Sequence, residues 1–296
     1  MPKICYTEKN FRGKSRDIIS KANEIIEEYA EQGFELTLRQ CYYQFVARDL
    51  LPNSEKSYKM LGDIISDGRL AGLIDWKAIV DRTRHVRKNS HWSGPAEIVQ
   101  ACAQQYQIRK WEGQETYCEV WIEKDALIGV IEPTCSKLDV PCFSCRGYVS
   151  QSEMWAAARR IENAVDDYGH ERSIVFHLGD HDPSGIDMTR DIRDRLNLFY
   201  GENLEIKRIA LTMEQIEEYA PPPNPAKMSD ARAQSYVRDY GYESWELDAL
   251  EPSKLVELVR EHVKEVLDEE KWEEMVEQEN KHKATLKKAA KKMEGK

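Results

Sequence analysis

The segment Gly179-Asp180-His181-Asp182-Pro183-Ser184-Gly185 constrains the chain more than any other. It directly follows Ser173-Ile174-Val175-Phe176-His177-Leu178, a β-branched and aromatic run that predicts a strand buried on both faces of a sheet. Pro183 and Gly185 then turn the chain away from the strand's carboxyl end. In an open parallel sheet that edge is where ligands bind. Asp180 and Asp182 bring anionic oxygens into one small volume there, a crowding that a cation such as Mg²⁺ relieves. A plain polar Asp-Pro-Ser-Gly turn is the alternative that this stretch alone leaves open.

The surrounding sequence predicts a sheet of that kind. Tyr117-Cys118-Glu119-Val120-Trp121-Ile122 reads as a strand ending in Glu123-Lys124, followed by a helix over 126–135. Val140-Pro141-Cys142-Phe143-Ser144-Cys145 reads as a second strand. A helix capped by Ser150 or Ser152 runs to Tyr168, and after the 173–178 strand come a helix over 186–200 and a strand over 204–210. This β-α-β-α-β-α-β order implies a parallel sheet with helices on both faces. Glu123 then lies at the same edge as Asp180 and Asp182, and one Glu with two Asp suits one or two Mg²⁺ ions and phosphodiester chemistry. Asp125, Glu132 and Asp187 begin or face out of helices, where acidic residues are common for dipole and solubility reasons.

Residues 13–33 carry apolar side chains at helical spacing and stop at Gly33, Thr37 can cap a second helix, and a third runs over 55–67. Three short helices before a Gly-punctuated stretch suggest a winged-helix (helix-turn-helix) module or a small helical protein-interaction domain. Arg82, Arg84, Arg87 and Lys88 form the densest basic run, either a solvated face or a strip that follows a phosphate backbone. The net charge of −10 conceals an asymmetry: residues 1–110 hold 18 Lys/Arg against 14 Asp/Glu, and the remainder holds 25 against 39. Seven cysteines at irregular spacing indicate a reducing compartment, with Cys142-x-x-Cys145 and Cys135 read as free thiols or, alternatively, an incomplete zinc site. No apolar run reaches the length of a membrane span, so a cytoplasmic, DNA-associated location is expected.

Three motifs in order, Ile122-Glu123-Lys124, Cys145-Arg146-Gly147-Tyr148-Val149-Ser150 and Gly179 to Gly185, resemble the Toprim domain of the topoisomerase VI A subunit and its relative, the meiotic double-strand-break protein. Arg39-Gln40-Cys41-Tyr42-Tyr43 resembles that family's Arg-x-x-Tyr-Tyr segment, and Trp245-Glu246-Leu247-Asp248-Ala249-Leu250 resembles the opening of its C-terminal helices. The similarity spans residues 15–265 or so. It implies an α/β plus α chain: a winged-helix domain over 1–92, a Mg-binding Toprim domain over 93–268, and a charged, mobile helix over 269–296.

The resemblance further implies that Glu123, Asp180 and Asp182 bind Mg²⁺. Tyr43 becomes the nucleophile that ends on a DNA 5′ phosphate, with Arg39 stabilising the phosphate's charge and Tyr42 packing beside it. A Tyr hydroxyl, with a pKa near 10, needs a cation and a metal to act in this way. In the family the Tyr of one protomer meets the metal site of the other, so a homodimer acting on double-stranded DNA is expected. An ATPase B-type subunit would be a separate partner, completing a type IIB-like topoisomerase. The chain departs from the family in lacking an obvious Lys-Gly wing segment, whose place Arg82-Thr83-Arg84 can take, and in carrying His181 between the two Asp residues. It reads as a compact relative of the kind a phage or plasmid carries. Two other functions use the same residues: a Toprim nuclease with water as nucleophile, and a non-catalytic DNA-binding protein. A Toprim primase is disfavoured because no zinc ribbon precedes the domain.

Overall fold

The structure is a computed structural model that describes residues 3–80, 89–201 and 203–294. The basic run Arg82, Arg84, Arg87 and Lys88 lies outside the described residues.

Three helices open the chain: α1 (Gly13–Glu31), α2 (Leu38–Ala47) and α3 (Glu55–Leu70). The apolar stripe of α1 (Ile18, Ile19, Ala22, Ile25, Tyr29) is buried against Cys41, Tyr42, Tyr43 and Phe45 of α2 and Leu61 and Ile65 of α3. Thr37 starts α2 with a reciprocal capping box, its hydroxyl accepting from the Gln40 N–H while the Gln40 side chain accepts from the Thr37 N–H. Ser54 caps α3 in the same way at its hydroxyl. Among the described residues this region has no wing hairpin. Its β-type pairing there consists of isolated bridges, Cys5 with Ala71 and Leu36 with Ile79.

The second half is built on a four-stranded sheet of β1 (Thr116–Ile122), β2 (Cys142–Ser144), β3 (Arg172–Leu178) and β4 (Leu204–Ala210), ordered β2-β1-β3-β4. Every pairing is parallel, as the alternation of strands and helices predicts. Helices α5 (Asp125–Lys137) and α10 (Pro252–Glu265) bury Leu127, Ile131, Leu255 and Val259 on one face, against Val120, Ile122, Phe176 and Leu178. Helices α6 (Gln151–Tyr168) and α7 (Pro183–Tyr200) bury Met154, Ala157, Ile192 and Leu196 on the other, against Trp121 and Val175. β1 and β3 are thus covered on both sides, which is why their sequences are almost continuously apolar. The exception, Glu119, is fully buried and satisfied: it accepts hydrogen bonds from Tyr117, Trp121 and both ends of the Arg160 fork.

Three local expectations change. The apolar spacing after Pro95 predicts one helix over 96–111, but α4 (Pro95–Gln105) ends six residues short, and Trp111 turns inward to donate its indole N–H to the Leu138 carbonyl at 2.8 Å. α7 starts at Pro183 rather than Ile186, since the Asp182 carboxylate caps it through the Gly185 N–H. The C-terminal helix α11 (Glu269–Glu294), expected to be a mobile tail, lies along α4. Lys110 and Glu279 pair at 2.7 Å with both side chains about nine-tenths buried, and Tyr106 meets His282 at 2.9 Å. Among the described residues no helix is long and apolar enough to cross a membrane.

Candidate functional site

The carboxyl edge of the sheet sets the site. β1 and β3 are neighbours in register, Ile122 opposite Leu178, so Glu123 and Gly179 leave the sheet side by side. The Asp180 N–H donates to Glu123 Oε2 at 2.9 Å. Asp182 follows, one carboxylate oxygen engaged by the Ser184 hydroxyl and the Gly185 N–H. Gly185 has to be glycine, because a Cβ there would collide with the Asp180 carbonyl oxygen. Glu123, Asp180 and Asp182 line one cavity of about 620 Å³, the convergence the strand order predicts.

Sequence reasoning missed the residues that hold this edge in shape. Arg208, on β4, lies beneath the loop and donates to the carbonyls of Gly179, Asp180, Gly185 and Leu211 and to the Thr189 hydroxyl. Burial pulls its pKa down to about 10, against the nearby carboxylates, so it keeps its charge at neutral pH. The sequence offers little signal for it, because strand 204–210 also carries Glu205 and Lys207. The sequence marks Lys124 only as part of a motif, yet its ammonium sits 2.9 Å from Asp180, 3.0 Å from Glu246 and 2.9 Å from Asp248. Burial opposes its charge, but those three carboxylates outweigh it and raise the Lys124 pKa. Asp125, discounted as a helix-start residue, lines the cavity and pairs with Arg146 at 3.0 Å.

Glu246 and Asp248 reach the site from the C-terminal side. The intervening chain carries α8 (Met213–Tyr219) and α9 (Ala233–Tyr240) and folds back as a two-stranded antiparallel pair, β5 (Asn224–Pro225) with β6 (Glu243–Ser244). Trp245 then exchanges two backbone hydrogen bonds with His181. His181 itself is buried, its Nδ1 2.8 Å from the Tyr236 hydroxyl. Burial, and then Arg208, lower its pKa to about 4, so it is a structural ring and not a sensor of pH near neutrality.

Helix α2 faces this edge. Arg39 Nη2 lies 2.6 and 2.5 Å from the two Glu246 oxygens, and Arg39 Nε is 3.7 Å from Asp248. One turn along α2, the Tyr43 hydroxyl accepts from Asn224 Nδ2 at 3.3 Å. A second cavity, of about 330 Å³, is lined by Tyr42, Tyr43 and Tyr58 and shares Arg39, Asn224, Pro225 and Glu246 with the first. Tyr43 is 3% exposed. Burial, and then the Glu246 charge, push its pKa up to about 12, so the phenol is protonated at rest. Tyr42 is the packing residue: its hydroxyl accepts from the Ser54 N–H at 2.7 Å and its ring packs on Tyr58.

As the side chains stand, no group of three or more carboxylate, imidazole or thiol residues among the described residues is arranged to hold one ion. The reason is local: Lys124 occupies Asp180, and Asp182 caps α7. The donor chemistry nonetheless suits a hard cation, because the Glu123 carboxylate is disfavoured by burial and by Asp180 beside it. Burial, and then the Asp180 charge, raise its pKa to about 7, the expected condition of carboxylates that share a site without a cation. The chain matches no protein-family model, no curated protein and no solved structure.

Proposed function

We propose that the chain is a Mg²⁺-dependent DNA-cleaving enzyme that works by tyrosine transesterification, with a winged-helix-like N-terminal domain and a Toprim-like sheet domain. One observation carries the reading: Arg39 lines the same cavity as Glu123, Asp180 and Asp182, and the next cavity along holds Tyr43. Phosphate capture, nucleophile and acidic edge thereby lie on one continuous surface. Glu123, Asp180 and Asp182 would hold Mg²⁺, which supplies charge neutralisation at the phosphodiester. Arg39 offers a guanidinium to the non-bridging oxygens. Tyr43 Oη attacks phosphorus, a P–O bond to the tyrosine forms, and the bond to the 3′ oxygen breaks. The phenolic proton leaves and the 3′ oxygen gains one, so bond energy is kept for religation. A homodimer acting on both strands of double-stranded DNA, each protomer bringing Tyr43 to its own acidic edge unlike the exchange between protomers that the family resemblance implies, with an ATPase B-type subunit for strand passage, completes the proposal.

A specific observation favours a second reading. Tyr43 is buried, protonated and hydrogen-bonded to Asn224, whereas Glu123 and Asp182 are only half-buried and line the larger cavity. In that case the same carboxylates support hydrolysis by a metal-activated water, as in a Toprim nuclease. The two readings separate on plasmid DNA in Mg²⁺ or Mn²⁺. Transesterification leaves 5′ ends blocked by protein and fails in both Tyr43→Phe and Asp180→Ala. Hydrolysis leaves free 5′ phosphates and survives Tyr43→Phe. DNA binding without cleavage by the wild type would point to a missing B-type partner or to a non-catalytic DNA-binding protein.

A further inference from the structure

The cation that should meet DNA first is already occupied. Arg39 is about half exposed, yet it holds both Glu246 oxygens through a single nitrogen, Nη2, and its Nε is 3.7 Å from Asp248. A guanidinium binds an oxyanion best with two nitrogens in parallel, so this contact leaves much of the fork uncommitted. Glu246 also takes Lys124 at 3.0 Å. Its carboxylate therefore bridges Arg39 of α2 and Lys124 of the sheet edge, at the point where the two cavities meet. A planar oxyanion between an arginine and a lysine is the chemistry of a phosphate subsite.

We propose that Arg39 and Lys124 form a subsite for one phosphate group, and that Glu246 fills it in the absence of ligand as a carboxylate stand-in. An incoming phosphate takes the Arg39 fork with two nitrogens and turns Glu246 out toward solvent. Lys124 keeps Asp180 and Asp248 as partners, so the displacement does not strand it. The same carboxylate repels any phosphate that cannot displace it, which makes Glu246 a brake on non-specific anion binding. The choice of phosphate rests on the DNA-cleaving reading above, while the displacement of Glu246 rests on the ion-pair geometry.

The test is binding, measured in EDTA so that no metal or turnover enters. Inorganic phosphate and a fluorescent 20-base-pair duplex are titrated into wild type, Glu246→Gln, Arg39→Ala and the double variant. Glu243→Gln serves as control, because it removes the same charge from an exposed position nearby. Circular dichroism verifies that each variant is folded, and the isosteric Glu246→Gln keeps the backbone of the loop. The expected result is that Glu246→Gln tightens both ligands about tenfold, that Glu243→Gln changes neither, and that the gain vanishes in the Arg39→Ala background. Tightening that persists without Arg39, or that Glu243→Gln reproduces, would overturn the subsite, as would no tightening at all. A gain for inorganic phosphate with no duplex binding by any variant would keep the subsite and remove DNA as its ligand. Duplex binding by the wild type with no gain in Glu246→Gln, beside cleavage by the wild type in a separate Mg²⁺ reaction, would remove the subsite and leave the proposed function standing.

Discussion

Glu123→Gln tests the electrostatics of the acidic edge through stability, independently of any reaction. In the metal-free chain the Glu123 pKa is raised from an ordinary 4.5 to about 7 by burial and by Asp180. A carboxyl group with a raised pKa binds its proton more tightly when folded, so its contribution is fully present below pH 4.5 and is lost as pH climbs through 7. At roughly 1.36 kcal/mol per pKa unit the full loss is about 3 kcal/mol, of which about 2 kcal/mol falls between pH 5 and pH 8. Glutamine keeps the oxygen that accepts from the Asp180 N–H and has no proton to lose. Urea unfolding of both proteins in EDTA, followed by tryptophan fluorescence, should show the variant overtaking the wild type as pH rises, by about 2 kcal/mol at pH 8 relative to pH 5. A gap that stays constant with pH, or a wild type more stable than Glu123→Gln at pH 8, would refute the claim that burial and Asp180 hold the Glu123 carboxyl well above its ordinary range.

Other positions give independent outcomes. Arg208→Met removes the guanidinium that donates to four carbonyls around the 179–185 loop, two of which keep a second donor, and should destabilise the fold by about 3–5 kcal/mol, read in the same urea experiment; a loss below about 1 kcal/mol would mean that water replaces the guanidinium. Gly185→Ala pushes a methyl group into the Asp180 carbonyl and should abolish cleavage while the helical signal of the N-terminal domain persists. The His181 ring, held near pKa 4 by burial and Arg208, should show an NMR titration midpoint well below 5, and a midpoint near 6.5 would contradict its buried contact with Tyr236. Glu279→Ala removes the partner of Lys110 and should speed proteolytic release of α11. In the wild type Glu279 is held down to about 2 by Lys110 and Lys283 despite its burial, so that anchor is present above pH 4.5 and weakens only as pH falls toward 2.

What the sequence discloses and what it conceals divide along a physical line. Strand order and the acidic edge are legible because parallel strands buried on two faces leave long apolar runs, and the residues just after them must lie at one edge. Glu123, Asp180 and Asp182 are found on that rule, and the observed register of β1 and β3 obeys it. The capping box at Thr37 and Gln40 is local and equally readable. Arg208, Lys124, Glu246 and Asp248 were not placed, because an ion pair over 122 residues of sequence, as between Lys124 and Glu246, leaves no periodic trace. The docking of α11 on α4 escaped for a related reason: a highly charged helix reads as solvated unless its partner is known, and the buried Glu279 is met by Lys110, far away in sequence, as well as by Lys283 on its own helix.

The central claim is that Tyr43 forms a covalent bond to DNA. The direct measurement incubates the protein with duplex DNA and Mg²⁺, stops the reaction with denaturant, digests both polymers and searches by mass spectrometry for the peptide containing Tyr43 with a nucleotide attached. The account predicts a 5′-phosphotyrosyl adduct at Tyr43 that is absent from Tyr43→Phe and from Asp180→Ala. Cleaved DNA with free 5′ phosphates and an unmodified Tyr43 peptide would contradict it.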